Sequence, residues 1–295
     1  MTAGTRGIVV GTDGSPGAAE AVRWAAAVAS QRKLDLVIAH GLEVVVRLYG
    51  RGVATREVFE LAQQAAEGIV AEARRVALSV DSELEVSTET VPESAAAVLV
   101  GLSRTARMVV LGASGVGALG GVVVGSAVPT VVSQAHCPVA VVRERDGTVP
   151  AKGPVVVGVD GSPNSEQAVG LAFEEASFRG APLVAVHAWS DVTYEYVHGT
   201  AQFLPPWDYI EPEQQRLLAQ RLAGRQERHP DVEVRRRLVR SNPRDALLEE
   251  SEQAQLVVVG SRGRGGFKGL LLGSTSQALV RRARCPVLVV RPEPA

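Results

Sequence analysis

Fifteen residues near the start, IVVGTDGSPGAAEAV (8–22), return 147 positions later as VVVGVDGSPNSEQAV (155–169). The correspondence continues along the chain. His40 matches His187 at the same offset, and Ser103, Gly112, Gly125 and Cys137 match Ser251, Gly260, Gly273 and Cys285 at an offset of 148. A drift of only one residue over so many landmarks identifies a duplicated domain. The polar, Gly/Pro-punctuated stretch RERDGTVPAKGP (143–154) reads as the connector. Two domains are expected, 1–146 and 153–295, each long enough to bury its own core.

Within each copy, short apolar runs alternate with helical periodicity. GIVVGT, LDLVIAH, LEVSTE, RMVVLG and PVAVVR read as strands of the first copy, with helices expected at about 16–31, 55–79, 94–104 and 126–135. The first helix carries Ala18, Val22, Ala25 and Val28 on one stripe. Ser15-Pro16 and Ser162-Pro163 place a capping hydroxyl before a proline suited to the first helical position. PVVVGV, PLVAVHA, VEVRRR, QLVVVG and PVLVVR repeat the pattern in the second copy. Val/Ile/Leu-rich strands alternating with helices predict an α/β fold, a five-stranded parallel sheet per copy with helices on both faces. In such sheets a ligand sits beyond the carboxyl ends of the strands, where the winding reverses.

Composition excludes several functions. The net charge is −1, and the 13 basic and 15 acidic residues up to Thr148 are followed by 18 and 17. Neither half has the basic excess of a nucleic-acid or anionic-membrane binder. With no apolar run of 18 residues and no leader-like start in MTAGTRG, neither a membrane span nor secretion is expected. Cys137 and Cys285, one per copy and each followed by Pro-Val, form neither a disulfide framework nor a metal cluster. They read as small buried residues in a protein of the reducing cytoplasm.

Two strand ends carry chemistry in both copies. Strand one ends in GTDGS (11–15) or GVDGS (158–162), setting Asp13 or Asp160 at a helix mouth. There a carboxylate can accept from a hydroxyl or amino group, hold a metal-bound water, or simply satisfy its own turn. Strand four ends in Gly112-x2-Gly115-x9-Gly125-Ser126, and in Gly260-x2-Gly263-x9-Gly273-Ser274. Glycines let amides converge on an anion, and a helix start adds donors and a favourable dipole. The serines are expected to cap the following helix and to offer a hydroxyl to phosphate; the alternative is a plain glycine-rich turn. GVGALG (115–120) matches a dinucleotide fingerprint, but its counterpart GRGGFK does not, and no acidic residue follows about 20 positions on.

These motifs, V-V-G-x-D-G-S, G-x2-G-x9-G-S and the C-P-V-x-V-V-R ending, resemble the universal stress proteins of the tandem type familiar from actinobacteria. The resemblance spans nearly the whole chain. It implies a Rossmann-like, adenine nucleotide alpha hydrolase-like fold and ATP binding, with Mg²⁺ accompanying the nucleotide. By that likeness Gly11, Thr12 and Asp13, and Gly158, Val159 and Asp160, lie by the adenosine. Gly41 and Ala188, beside His40 and His187, offer backbone to adenine, the histidines supporting the strand. Leu111, Gly112, Gly115, Gly125, Ser126, Ala127 and Val128 match phosphate-binding positions in the first copy. Val259, Gly260, Arg262, Gly263, Arg264, Gly273, Ser274, Thr275 and Ser276 match them in the second.

The two mouths differ. The second loop carries Arg262, Arg264 and Lys268 and is followed by GSTS; the first has no charge between Gly112 and Ser126 and is followed by GSAV. Cations beside a triphosphate strengthen binding, so the second site is expected to hold ATP more tightly. Residues 189–209 hold six of the chain's 12 aromatics, against Tyr49 alone in 42–54, and read as a lid, a partner-docking loop or packing filler. No nucleophile–base pair or metal triad accompanies the glycine loops. A nucleotide-dependent stress-response regulator, homodimeric and with an unidentified protein partner, is the leading expectation. A slow ATPase or nucleotide-dependent transferase, and a nucleotide-independent dimerisation module, are the alternatives.

Overall fold

The computed structural model describes residues 7–42, 56–115, 125–143, 152–189, 207–263 and 272–291, and of 207–210 the backbone only. The chain divides after Glu144 into two compact units. In the first, β1 (Ile8–Gly11), α1 (Pro16–Arg32), β2 (Leu36–Gly41), α2 (Arg56–Val80), β3 (Val86–Val91), α3 (Ala95–Leu102), β4 (Met108–Gly112), α4 (Ala127–Gln134) and β5 (Val139–Val142) follow in order. All strand pairs are parallel, in the order β3-β2-β1-β4-β5. The second repeats this with β6 (Val155–Gly158), α5 (Pro163–Arg179), β7 (Leu183–Trp189), α6 (Trp207–Gln226), β8 (Val234–Arg240), α7 (Pro243–Glu250), β9 (Leu256–Gly260), α8 (Ser274–Arg282) and β10 (Val287–Val290). Its order is β8-β7-β6-β9-β10, again all parallel. The winding reverses between β1 and β4, and between β6 and β9, which puts the expected mouth at those strand ends.

The core follows from composition. Strands β1, β4, β5, β9 and β10 are Val/Ile/Leu runs buried almost throughout, as strands covered on both faces must be. The stripe of Ala18, Val22, Ala25 and Val28 on α1 is buried. The third strands depart from the expectation: β3 (VSTETV) and β8 (VRRRLVR) are outer strands of their units made largely of polar and charged residues, and they are largely exposed. The aromatic segment departs too. Trp189 closes β7 as a buried residue and Trp207–Tyr209 already belong to α6, so the connecting loop is shorter than 189–209; residues 190–206 lie outside the described residues.

Local capping is repeated with high fidelity. Ser15 Oγ accepts from Ala18 N at 3.2 Å and Ser162 Oγ from Ser165 N at 3.2 Å, each followed by proline. At the other end, Lys33 (φ 53°) and Gly180 (φ 55°) occupy the same left-handed position, with Leu34 and Ala181 N–H closing back on Ala29 and Ala176. A side chain there is strained, and a Cβ on Gly180 would meet nothing within 4 Å, so the penalty is purely conformational. Lys33→Gly is therefore expected to stabilise the first unit, and Gly180→Ala to destabilise the second, each by about 1 kcal/mol in urea titrations.

Cys137 and Cys285 are buried and unbridged at the entries to β5 and β10. Burial pushes the Cys137 thiol up to about 12, an inert structural position.

Candidate functional site

Both mouths are built on one turn. Gly14 (φ 79°) and Gly161 (φ 77°) adopt the left-handed conformation that lets the chain turn from strand into helix. The turn is locked by the aspartate before it: Asp13 Oδ1 accepts from Ser15 N at 3.0 Å, and Asp160 Oδ1 from Ser162 N at 2.9 Å. Thr12 N–H continues the sheet to Ala39 O (3.0 Å) and Val159 N–H to Val186 O (2.8 Å).

The histidines act as struts. His40 Nδ1 lies 2.7 Å from Thr12 O and His187 Nδ1 2.6 Å from Val159 O. A carbonyl only accepts, so each ring carries its proton on Nδ1 and holds the residue before the aspartate. The Gln214 side-chain amide lies 3.2 Å from His187 Nε2, and with the proton on Nδ1 only the NH₂ end of that amide can donate to it. Strands β2 and β7 run past the ends of β1 and β6, bringing Gly41 and Ala188 to the row of the aspartates. Gly41 has a packing reason as well: a Cβ there would lie 2.6 Å from Ala95 N, at the start of α3.

The glycine loops meet the aspartates. A Cβ on Gly115 would stand 2.7 Å from Asp13 Oδ2, and one on Gly263 2.2 Å from Asp160 Oδ2. The predicted carboxylate and the second glycine of the motif thus face each other in both units. Gly112 and Gly260 do something else. They let β4 and β9 approach the first helix, with Cβ positions 2.8 Å from Gly17 C and 2.9 Å from Asn164 Cβ. Gly11 and Gly158 likewise sit against Leu99 and Leu247 side chains, and Leu111 and Val259 are buried core residues. Arg264, Lys268 and most of GVGALG lie outside the described residues.

The loop feet correct the expected donor set. Gly125 N–H is spent on Ala113 O (2.9 Å) and Gly273 N–H on Ser261 O (2.8 Å), closing each loop at its base. Val128 N–H goes to Gly125 O (3.1 Å). Neither Ser126 nor Ser274 caps its helix. Ser126 has αR backbone with no side-chain cap bond, and the N-cap of α8 is Gly273, which makes Ser274 its first helical residue. Ser276, expected to offer a hydroxyl, is buried and turns it to Ser261 O (3.0 Å) and Gly273 O (3.2 Å). Ser274 is exposed and Thr275 half-buried, at a helix start with no side-chain cap, beside the exposed Arg262. In the first unit Ser126 is exposed, with Ala127 half-buried next to it.

Several bracing residues were missed by sequence reading. Asp160 N–H donates to Ser165 Oγ (3.1 Å), and Asn164 Nδ2 to Ser261 Oγ (3.4 Å). Arg221 of α6 pairs with Glu166 and reaches Gly161 O at 3.4 Å. The first copy's GAAEAV, against NSEQAV, already signalled that these braces belong to the second unit alone. In the first unit, the space between α1 and α2 at Gly14, Ala19 and Ala73 is instead a cleft of about 310 Å³. Arg291, just after β10, is held below the usual guanidinium range by burial and by the charge of Arg262.

A tandem pair of parallel α/β units, each with an aspartate facing a glycine loop at its topological switch point, defines a two-domain Rossmann-like protein. The model of the Universal stress protein family matches residues 4–143 and again 153–291. The chain belongs to that family. It is 44% identical over 290 residues to a universal stress protein of Mycolicibacterium smegmatis, covering 97% of both chains. Over 290 residues it is 40% identical to universal stress protein Rv2623 of Mycobacterium tuberculosis, covering 97% of this chain and 96% of that one. A universal stress protein crystal structure from Archaeoglobus fulgidus superposes with a TM-score of 0.71 at 17% identity, covering 97% and 98% of the two chains, and shows the same fold. Among the described residues, no helix is long and apolar enough to cross a membrane.

Proposed function

We propose that the protein is a nucleotide-dependent regulator of the stress response that holds one adenine nucleotide in each unit, the second more tightly. The observation that carries this reading is the opposition of Asp13 to Gly115 and of Asp160 to Gly263. Each pairs an acceptor for ribose or amino hydrogens with a loop whose close approach only glycine permits. The second unit adds Arg262 at the phosphate end. Mg²⁺ would arrive with the triphosphate, since it retains several waters and asks one or two carboxylates of the protein; Asp13 and Asp160 are the residues at hand. On this reading the protein works in the cytoplasm, as a homodimer, changing its partner contacts with nucleotide occupancy.

The test is the nucleotide bound per chain after saturation with ATP, for wild type, Asp13→Ala and Asp160→Ala. Two per chain, falling to one in each variant, with the tighter remaining site in Asp13→Ala, is the expected result. No bound nucleotide in wild type would overturn the reading. Steady hydrolysis that vanishes with Asp160→Ala would make the protein an enzyme instead.

A further inference from the structure

The two mouths agree at the end assigned to adenosine and differ at the end assigned to phosphate. The strand-one amide bonds are 3.0 and 2.8 Å, the histidine struts 2.7 and 2.6 Å, and the aspartate turns 3.0 and 2.9 Å. At the other end Ser114 stands where the second unit has Arg262. Ser114 Oγ is turned toward α1, 2.9 Å from where a Cβ on Gly17 would lie. Arg262 is exposed, and its Cα is 3.4 Å from a Cβ position on Gly273, at the foot of α8. Arg291 leaves the same end of the neighbouring strand, because Ser261 N–H bonds Val290 O at 2.7 Å and Val290 is level with Gly260. Arg143 holds the equivalent place after β5. The first mouth therefore has one guanidinium among the described residues of this row, and the second has two.

We propose that Arg262, acting with Arg291, makes the two sites differ in phosphate count: the second selects nucleoside triphosphates over monophosphates more strongly than the first. This rests on the adenine-nucleotide reading above. Two guanidinium groups brought together repel, and an anion placed across them removes the repulsion while gaining charge-assisted hydrogen bonds. Burial first, and the charge of Arg262 second, hold Arg291 below the usual guanidinium range, in keeping with the adjacency of the two strand ends. A triphosphate carries more charge than a monophosphate and so gains more from a second guanidinium at the mouth.

The test reads each site alone in the full-length chain, the second in an Asp13→Ala background and the first in Asp160→Ala, by titrating ATP and AMP calorimetrically. The ratio of ATP to AMP affinity cancels whatever the adenosine end contributes. The second site is expected to show a ratio about tenfold above the first. Arg262→Ser should lower its ratio about tenfold by weakening ATP, with AMP changed less than about twofold. Ser114→Arg should raise the ratio of the first site. Arg262 is exposed, so an unchanged Tm will confirm that the variant folds. Equal ratios at the two sites, or equal weakening of ATP and AMP by Arg262→Ser, overturn the inference while leaving the nucleotide reading intact. Binding of neither nucleotide in either background overturns both.

Discussion

Gly263→Val removes nucleotide binding from the second unit and leaves the first unit's site at wild-type affinity. The reason is the 2.2 Å separation between a Cβ at this position and Asp160 Oδ2, far inside van der Waals contact. An aspartate side chain is short, and the other oxygen of this one is tied to Ser162 N at 2.9 Å. It cannot swing aside without opening the turn that starts α5. Either the carboxylate or the glycine loop must then leave its place, so both halves of the mouth are lost at once. Two charge-assisted hydrogen bonds at about 1.5 kcal/mol each correspond to a loss of roughly two orders of magnitude in affinity. Gly263 is exposed, so Tm should move by no more than about 2 °C. Gly115→Val is the control in the other unit, where the separation is 2.7 Å and the loss is confined to the first site. Calorimetric titration with ATP distinguishes the outcomes. If Gly263→Val still binds two nucleotides per chain, the facing carboxylate and glycine are not the site.

How far these residues could be read from the chain depended on how local their reasons are. The duplication, the parallel sheet and the serine–proline caps depend on patterns visible in the string, and each stands as read. The glycine loops were legible as a spacing, but not as a division of labour. Nothing in the string says that Gly112 is a glycine for the sake of Gly17, or that Gly125 spends its amide on Ala113. Those reasons involve atoms from a different element. The hydroxyl run GSTS looked like three donors to a ligand, whereas Ser276 faces inward because the first turn of α8 puts it against Ser261 O. The exposure of β3 and β8, by contrast, was there to be read in their polar and charged residues.

The buried charge of the second unit is the clearest case, and it yields the other large effect. Glu175 sits in AFEEASFR, a stretch that reads as the solvent side of a helix, yet its side chain is 0% exposed. It is bonded by Arg179 Nε at 3.2 Å; Arg179 in turn donates to Gln255 Oε1 at 3.3 Å, and Gln255 Nε2 to Gly153 O at 2.5 Å. The chain thus ties α5 to the segments before β6 and β9 through side chains far apart in sequence. In the first unit the position of Glu175 is Val28, a core residue with no charge to satisfy. Arg179→Met leaves the carboxylate buried without its guanidinium and is expected to cost about 3 kcal/mol, lowering the Tm of the second unit by roughly 9 °C. Adding Glu175→Val removes the buried carboxylate and should recover most of that loss, since a buried pair replaced by apolar groups of similar volume is often close to neutral. Differential scanning calorimetry of the wild type, the single variant and the double variant decides it. A double variant as unstable as the single would mean that packing around α5, not the buried carboxylate, sets the cost; recovery would mean that the second repeat carries at this position a charge pair where the first has Val28.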